Sequence, residues 1–177
     1  FSVKELSVLI NKPLSLSRVY LNRLVTNKLA EKVAAGIISF TDDEYVIATQ
    51  LVEPSYLSFN PALHFHHLIQ QVPATLSFIT TKQVKKKFQY KYFKIDKRIF
   101  FAYKRYNRGE TYLFVSEPEK AVIDLIYYYG FSINYLKDIL PKLDLVKLRK
   151  YVSYYKKINT SKSKSVLKIG DFIANKK

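Results

Sequence analysis

Arg18, Val19, Asn22, Arg23 and Thr26 have the types and the spacing of side chains that read base edges. Arginine grips guanine through two acceptors, asparagine pairs with adenine in the same bidentate way, and valine meets the thymine methyl. In SLSRVYLNRLVTNKL the apolar Leu21, Leu24 and Val25 recur at i, i+3 and i+4, with Ser17 on the same face one turn earlier. Burying that stripe turns the other face outward. Lys12, Ser15 and Ser17 fall where the preceding turn and the helix N-terminus would meet phosphate, positioning the helix without reading sequence. The plain alternative is a solvated helix face that carries two arginines.

A second cluster lies in TKQVKKKFQYKYFK, where Lys82, Lys85, Lys86 and Lys87, followed by Lys91 and Lys94, could track a phosphate backbone. The alternation of Phe88, Tyr90, Tyr92 and Phe93 reads instead as a strand whose rings face a core. His64 and His67 share a helix face, with His66 between them, but no carboxylate or cysteine stands in the same helix to complete a metal shell. Glu117, Glu119, Asp124, Asp138 and Asp144 invite a metal-dependent nuclease. The spacing argues against it, because Glu119 directly precedes Lys120, and local capping accounts for the glutamates. Four glycines leave little room for a phosphate-binding loop. The expectation is a chain without catalytic residues, metal or cofactor.

The elements that must position these groups are signalled locally. Ser2 and Glu5 form a capping box, with Phe1 and Leu6 at the positions of a hydrophobic staple, so a helix starts there. Asn11-Lys12-Pro13 ends it. Ser15 is expected to cap the second helix. Leu29, Val33, Ile37, Ile38 and Phe40, around Gly36, predict a hairpin, and Glu44 to Ala48 a further short strand. Helix, turn, helix and hairpin together predict a winged helix-turn-helix over residues 1–52, packed on Leu6, Leu9, Leu21, Leu24 and Leu29. Pro54 marks the boundary.

Residues 53–177 predict a small α+β domain ending in helices. Asn60 to Leu68 reads as a helix, and Thr75 to Thr80 and Phe88 to Phe93 as strands. Arg98 to Lys104 and Thr111 to Val115 flank a hairpin turn at Asn107-Arg108-Gly109. Helices follow at Ser116 to Tyr129, with Ser116 and Glu119 as a capping box, at Asn134 to Leu140, and at Asp144 to Tyr155. A Ser/Lys-rich link at Thr160 to Ser165 precedes a last short helix.

Composition sets the outer limits. Of 177 residues, 30 are basic and 14 acidic, for a net charge of +16, which suggests a polyanionic partner. The abundance of lysine, tyrosine, phenylalanine, isoleucine and asparagine is also what an AT-rich genome imposes on any protein. The charge is uneven: residues 1–50 carry six basic and five acidic side chains, residues 51–110 eleven and three, and residues 111–177 thirteen and six. There is no cysteine, hence no disulfide or thiolate chemistry. No stretch approaches the roughly 20 apolar residues of a membrane span, and no secretion signal opens the chain. A cytoplasmic protein with no membrane contact is expected. The absence of methionine suggests a start residue, and a short segment, ahead of Phe1.

The order of features resembles the AbiEi antitoxins, the transcriptional-repressor half of type IV toxin–antitoxin systems. The matching residues are Ser58, then Ala62-Leu63, His66 and Leu68, and the run Glu117-Pro118-Glu119-Lys120-Ala121-Val122-Ile123-Asp124-Leu125. The family usually has a further helix before the one starting at Ser2, here absent or lying ahead of Phe1. The resemblance implies a repressor that binds double-stranded DNA at inverted repeats ahead of its own operon. It also implies a neighbouring nucleotidyltransferase toxin, countered without a stable complex. A stand-alone regulator is compatible with the same residues. A metal-dependent nuclease and a non-specific RNA- or membrane-binding module are the readings from other classes.

Overall fold

The chain folds as a mixed α+β protein around a five-stranded sheet, seen in a computed structural model that describes residues 1–85, 88–130, 132–158 and 160–174. Its first helix, α1 (Val3–Leu9), is fixed by the expected capping box: Glu5 N–H donates to Ser2 Oγ at 3.3 Å and Ser2 N–H to Glu5 Oε2 at 2.6 Å. Asn11, a residue that tolerates the left-handed region, turns the chain at φ 50. Then α2 (Leu14–Thr26) begins after Pro13, which has no N–H to leave unsatisfied and takes the cap position itself. Ser15 is therefore not the cap; it lies inside the first turn, exposed.

The strands β1 (Glu31–Ala34) and β2 (Ile37–Ser39) form an antiparallel hairpin that turns at Gly36, at φ 71. A Cβ there would sit 3.4 Å from the Val3 side chain, and the Gly36 carbonyl accepts from Val3 N–H at 3.0 Å, so the turn packs closely on the start of α1. Ser2 bridges to Ile37 and draws the N-terminal segment alongside β2. Leu6, Leu21, Ala30 and Ile38 form a small core, with Val3, Ile10, Leu24 and Val25 packed against it. Leu9 and Leu29 do not join it, at 73% and 63% exposed. Leu6 and Ile10, and not Leu9, line a groove with Tyr20 and Leu24 of α2. The left-handed Lys28, at φ 58, turns Leu29 outward and brings Ala30 in.

Residues 44–51, expected to extend as a strand, form α3 (Glu44–Leu51). The cause is Asp43, whose carboxylate accepts from the N–H groups of Tyr45 and Val46. Its Ala48 belongs to a second, larger core. That core is built on the sheet, in the order β5-β4-β3-β7-β6. The strands are β3 (Ser55–Leu57), β4 (Ser77–Thr80), β5 (Lys91–Lys94), β6 (Tyr103–Arg108) and β7 (Thr111–Ser116). β4 and β6 run antiparallel to their inner neighbours β3 and β7, while β3 lies parallel to β7 and β5 to β4. Successive residues of a strand face opposite sides, and β3 serves both: Tyr56 reaches α5, whereas Leu57 shares its face with Phe78 and Tyr92, next to α3.

After β3 comes α4 (Phe59–Phe65), and after β7 come α5 (Pro118–Tyr129), α6 (Ile133–Leu136), α7 (Leu145–Tyr154) and α8 (Ser161–Ala174), with α5, α7 and α8 packed on one another. Several boundaries differ from the sequence expectation. The β6–β7 turn is Gly109-Glu110, with Arg108 already paired to Thr111. Residues near Arg98 coil into a 3₁₀ turn, because Asp96 accepts from both the Arg98 N–H and its guanidinium. The Ser116–Glu119 capping box is absent: Ser116 is the last residue of β7, and Glu117 caps α5 ahead of Pro118 without a side-chain bond. The Ser/Lys-rich segment is not a link but the first turn of α8. α6 is shorter than expected, and the chain resumes as a 3₁₀ turn at Leu140–Lys142.

Candidate nucleic-acid interface

The outward face of α2 is assembled as its periodicity requires. Leu21 is buried and Leu24 and Val25 half-buried, while Arg18, Val19, Asn22, Arg23 and Thr26 are exposed. Arg18, Asn22 and Thr26 recur every four residues and therefore form one row along the helix. That row lines a groove whose other wall is the β1–β2 hairpin, with Lys32, Ala34 and Gly36. Lys32 was not singled out by sequence; its register on a short, half-exposed strand carries no signal until the hairpin is placed beside α2.

Arg23 belongs to a different side. It lines a mostly apolar groove with Leu6, Ile10, Lys12, Tyr20 and Asn27, and its guanidinium lies 6.0 Å from the Tyr20 ring centre. No side chain caps α2, which leaves first-turn N–H groups, such as that of Ser15, directed at solvent. Lys12 and Ser15 are exposed beside them. Ser17 is not: it is fully buried, and its hydroxyl donates to the Pro13 carbonyl at 3.0 Å, so its place on the apolar stripe outweighs the phosphate contact expected of it.

The lysine run lies elsewhere, in the β4–β5 connection. Lys82 and Lys85 are exposed there, and Lys86 and Lys87 fall outside the described residues. The rings of the same run pack against the larger core, Tyr90 buried and Phe88, Tyr92 and Phe93 half-buried; Phe88, Tyr90 and Tyr92 follow the alternation, whereas Phe93 packs from the opposite face of the sheet on Phe59 and Tyr128. Tyr92 donates its hydroxyl to the Ala48 carbonyl at 2.5 Å, tying β5 to α3. Beyond the run, β6 is an edge strand that exposes Lys104, Arg105 and Arg108. These three are engaged, with Glu117, the Tyr112 ring and Asp43 respectively.

Glu117, Glu119, Asp124 and Asp144 serve structure. Glu117 pairs with Lys104 at 3.0 Å and Lys147 at 3.5 Å and accepts from the Tyr151 hydroxyl at 2.5 Å. Partial burial pushes its carboxyl up, but the hydrogen bonds of Tyr151 and Lys104 and the charges of Lys147 and Lys104 outweigh that and hold its pKa below the ordinary value. Glu119 is buried and accepts from the Asp144 N–H at 2.9 Å, so it fastens the start of α7 to α5. Asp144 in turn caps α7. His66 bonds through Nε2 to the Ser116 carbonyl. Among the described residues no group of three His, Asp or Glu side chains could hold a metal.

The centre of the run Glu117 to Leu125 is an ion pair that sequence reading passed over. Lys120 and Asp124, one helical turn apart, are both fully buried and bonded to each other. Asp124 also accepts from Ser58 Oγ at 2.8 Å and Tyr56 OH at 3.1 Å, and Lys120 donates to Tyr155 OH at 3.2 Å. Burial lowers the Lys120 pKa and raises that of Asp124; the pairing opposes both shifts. A Lys and an Asp at i, i+4 amid Ala, Val and Ile were the available signal. No protein-family model matches the chain, and no curated protein sequence matches it.

Proposed function

We propose that the chain is a sequence-specific DNA-binding repressor, with residues 1 to about 52 acting as a winged helix, α2 as its recognition helix and the β1–β2 hairpin as its wing. The observation that carries this reading is the exposed row Arg18, Asn22 and Thr26, which shares one groove with Lys32 of the hairpin. Helices of this kind enter the major groove while flanking elements hold phosphate. Lys12, Ser15 and the uncapped start of α2 supply such contacts.

Within this reading the chain is the antitoxin of a type IV toxin–antitoxin system, working in the cytoplasm on inverted repeats ahead of its own operon. It would counter a neighbouring nucleotidyltransferase toxin without a stable complex. The support is the resemblance to AbiEi antitoxins through Ser58, Ala62-Leu63 and Glu117 to Leu125. A stand-alone regulator would use the same surface. A non-enzymatic role is part of this proposal, supported by the partners that Glu117, Asp124 and Asp144 find within the protein and by the bond from the Asp144 N–H to Glu119. Among the described residues no helix is long and apolar enough to cross a membrane.

The test is a set of binding titrations on the DNA upstream of the gene and on a scrambled duplex. Alanine at Arg18 or Asn22 should cost roughly 1–3 kcal/mol on the upstream DNA and far less on the scrambled one. Equal losses on both would show that α2 does not read bases.

A further inference from the structure

A pocket remote from α2 opens beside the C-terminal end of α5. Phe59 and Pro61 of α4, Ile69 and Val72 of the following connection, and Leu125 and Ile126 of α5 form its apolar walls around about 520 Å³. Small-molecule sites span roughly 300–1,000 Å³ and combine such walls with a few polar groups. The polar groups here include Gln71, Thr75 and Ser77. Two apolar groups are left wet at this site, Val72 at 73% and Tyr129 at 67% exposed. The adjoining interior is tightly filled, with Ile79 and Ile123 at 0% exposed, so the opening is local. Residues 66–76, which join α4 to β4, carry no regular structure. They exceed the usual connection of about 4–6 residues.

Charge gives the sign of the occupant. Lys91 of β5 is the only charged side chain that lines the pocket among the described residues, and it makes no ion pair there. It stands next to Ser77 in the parallel β4–β5 register, so both side chains leave the sheet on the same face. We propose that this pocket binds a small amphipathic anion: an aromatic or hydrocarbon body seated between α4, α5 and residues 66–76, with a single carboxylate, sulfonate or phosphate at Lys91. The apolar walls set the body, the volume its size, and the lone ammonium its charge. The proposal stands apart from DNA binding and survives or fails independently of it.

The experiment uses the full chain and two fluorescent probes of the same shape, the anion 8-anilinonaphthalene-1-sulfonate and the uncharged N-phenyl-1-naphthylamine. Both should bind saturably, one per chain. Lys91→Glu, at an exposed strand position, should weaken the sulfonate by at least about tenfold and change the uncharged probe little. Ser77→Phe, which places a ring in the cavity, should weaken both, with thermal melts confirming that each variant is folded. No saturable binding, or sulfonate binding indifferent to Lys91→Glu, would overturn the proposal. So would binding of both probes indifferent to Ser77→Phe, since the site would then lie elsewhere.

Discussion

At the scale of single residues, the buried pair Lys120–Asp124 makes a sharp demand on stability. Two charges taken out of water are tolerated only when paired and hydrogen-bonded, and removing one partner strands the other. Lys120→Met alone should cost about 3–5 kcal/mol in denaturant unfolding. Adding Asp124→Asn removes the stranded charge yet keeps an acceptor for Ser58 and Tyr56. The double variant should therefore be less destabilised than the two single losses combined. Strict additivity would mean the two groups do not act as a pair. Glu117 makes a demand of a different kind. Its carboxyl is held below its ordinary pKa in the folded chain, so the charged form stabilises the fold above the unfolded pKa. That stability fades as pH falls through the folded pKa. Thermal melts of the parent and of Glu117→Gln should thus differ at neutral pH and converge in acid, below the ordinary carboxylate range. A difference that persists there would assign the effect to packing.

At the scale of elements, the end of α2 is the clearest target. Leu29 N–H donates to the Leu24 carbonyl at 2.9 Å and Lys28 N–H to the Val25 carbonyl at 3.0 Å, an arrangement that holds Lys28 in the left-handed region at φ 58. Glycine is the usual residue there because it has no Cβ to strain. Lys28→Gly should stabilise the fold by about 0.5–1 kcal/mol after its extra unfolded-state entropy is counted. A lower melting temperature would refute this. The same local logic decided how much could be read in advance. α1, α2 and the Gly36 hairpin were legible because the capping box of α1, the apolar spacing of α2 and the turn glycine each lie within a few residues, although the cap of α2 was placed at Ser15 instead of Pro13. So was the outward face of α2, from Arg18 to Thr26. α3 was misread as extended because Asp43 and Glu44 were not weighed as a cap and first turn. Ser116 was misread as a cap because its pairing with Tyr103 across β6–β7 is invisible from its neighbours. The pairing of Lys120 with Tyr155, and the groove between α2 and Lys32, depend on tertiary placement and had no local signature.

At the scale of the whole molecule, the charge excess and the proposed base readers lie in different parts of the chain. Residues 1–50 are nearly neutral, with six basic and five acidic side chains, although they hold the proposed base readers. The excess lies downstream, and much of it on β6 is engaged by Glu117, Asp43 and Tyr112. Lys82 and Lys85, exposed in the β4–β5 connection, begin the densest run of basic residues, the phosphate ligands of the proposed reading. Phosphate contacts release counterions whatever the base sequence, whereas base contacts exist only in the specific complex. Neutralising Lys82, Lys85, Lys86 and Lys87 together should therefore weaken upstream and scrambled DNA alike. It should also flatten the log–log dependence of affinity on salt, by up to about 0.9 for each phosphate that no longer meets a lysine. Titrations at several salt concentrations with both duplexes measure this directly. If neither affinity nor slope changes, the lysines are surface composition of the kind an AT-rich genome imposes, and the sheet-centred part of the chain acts on something other than DNA.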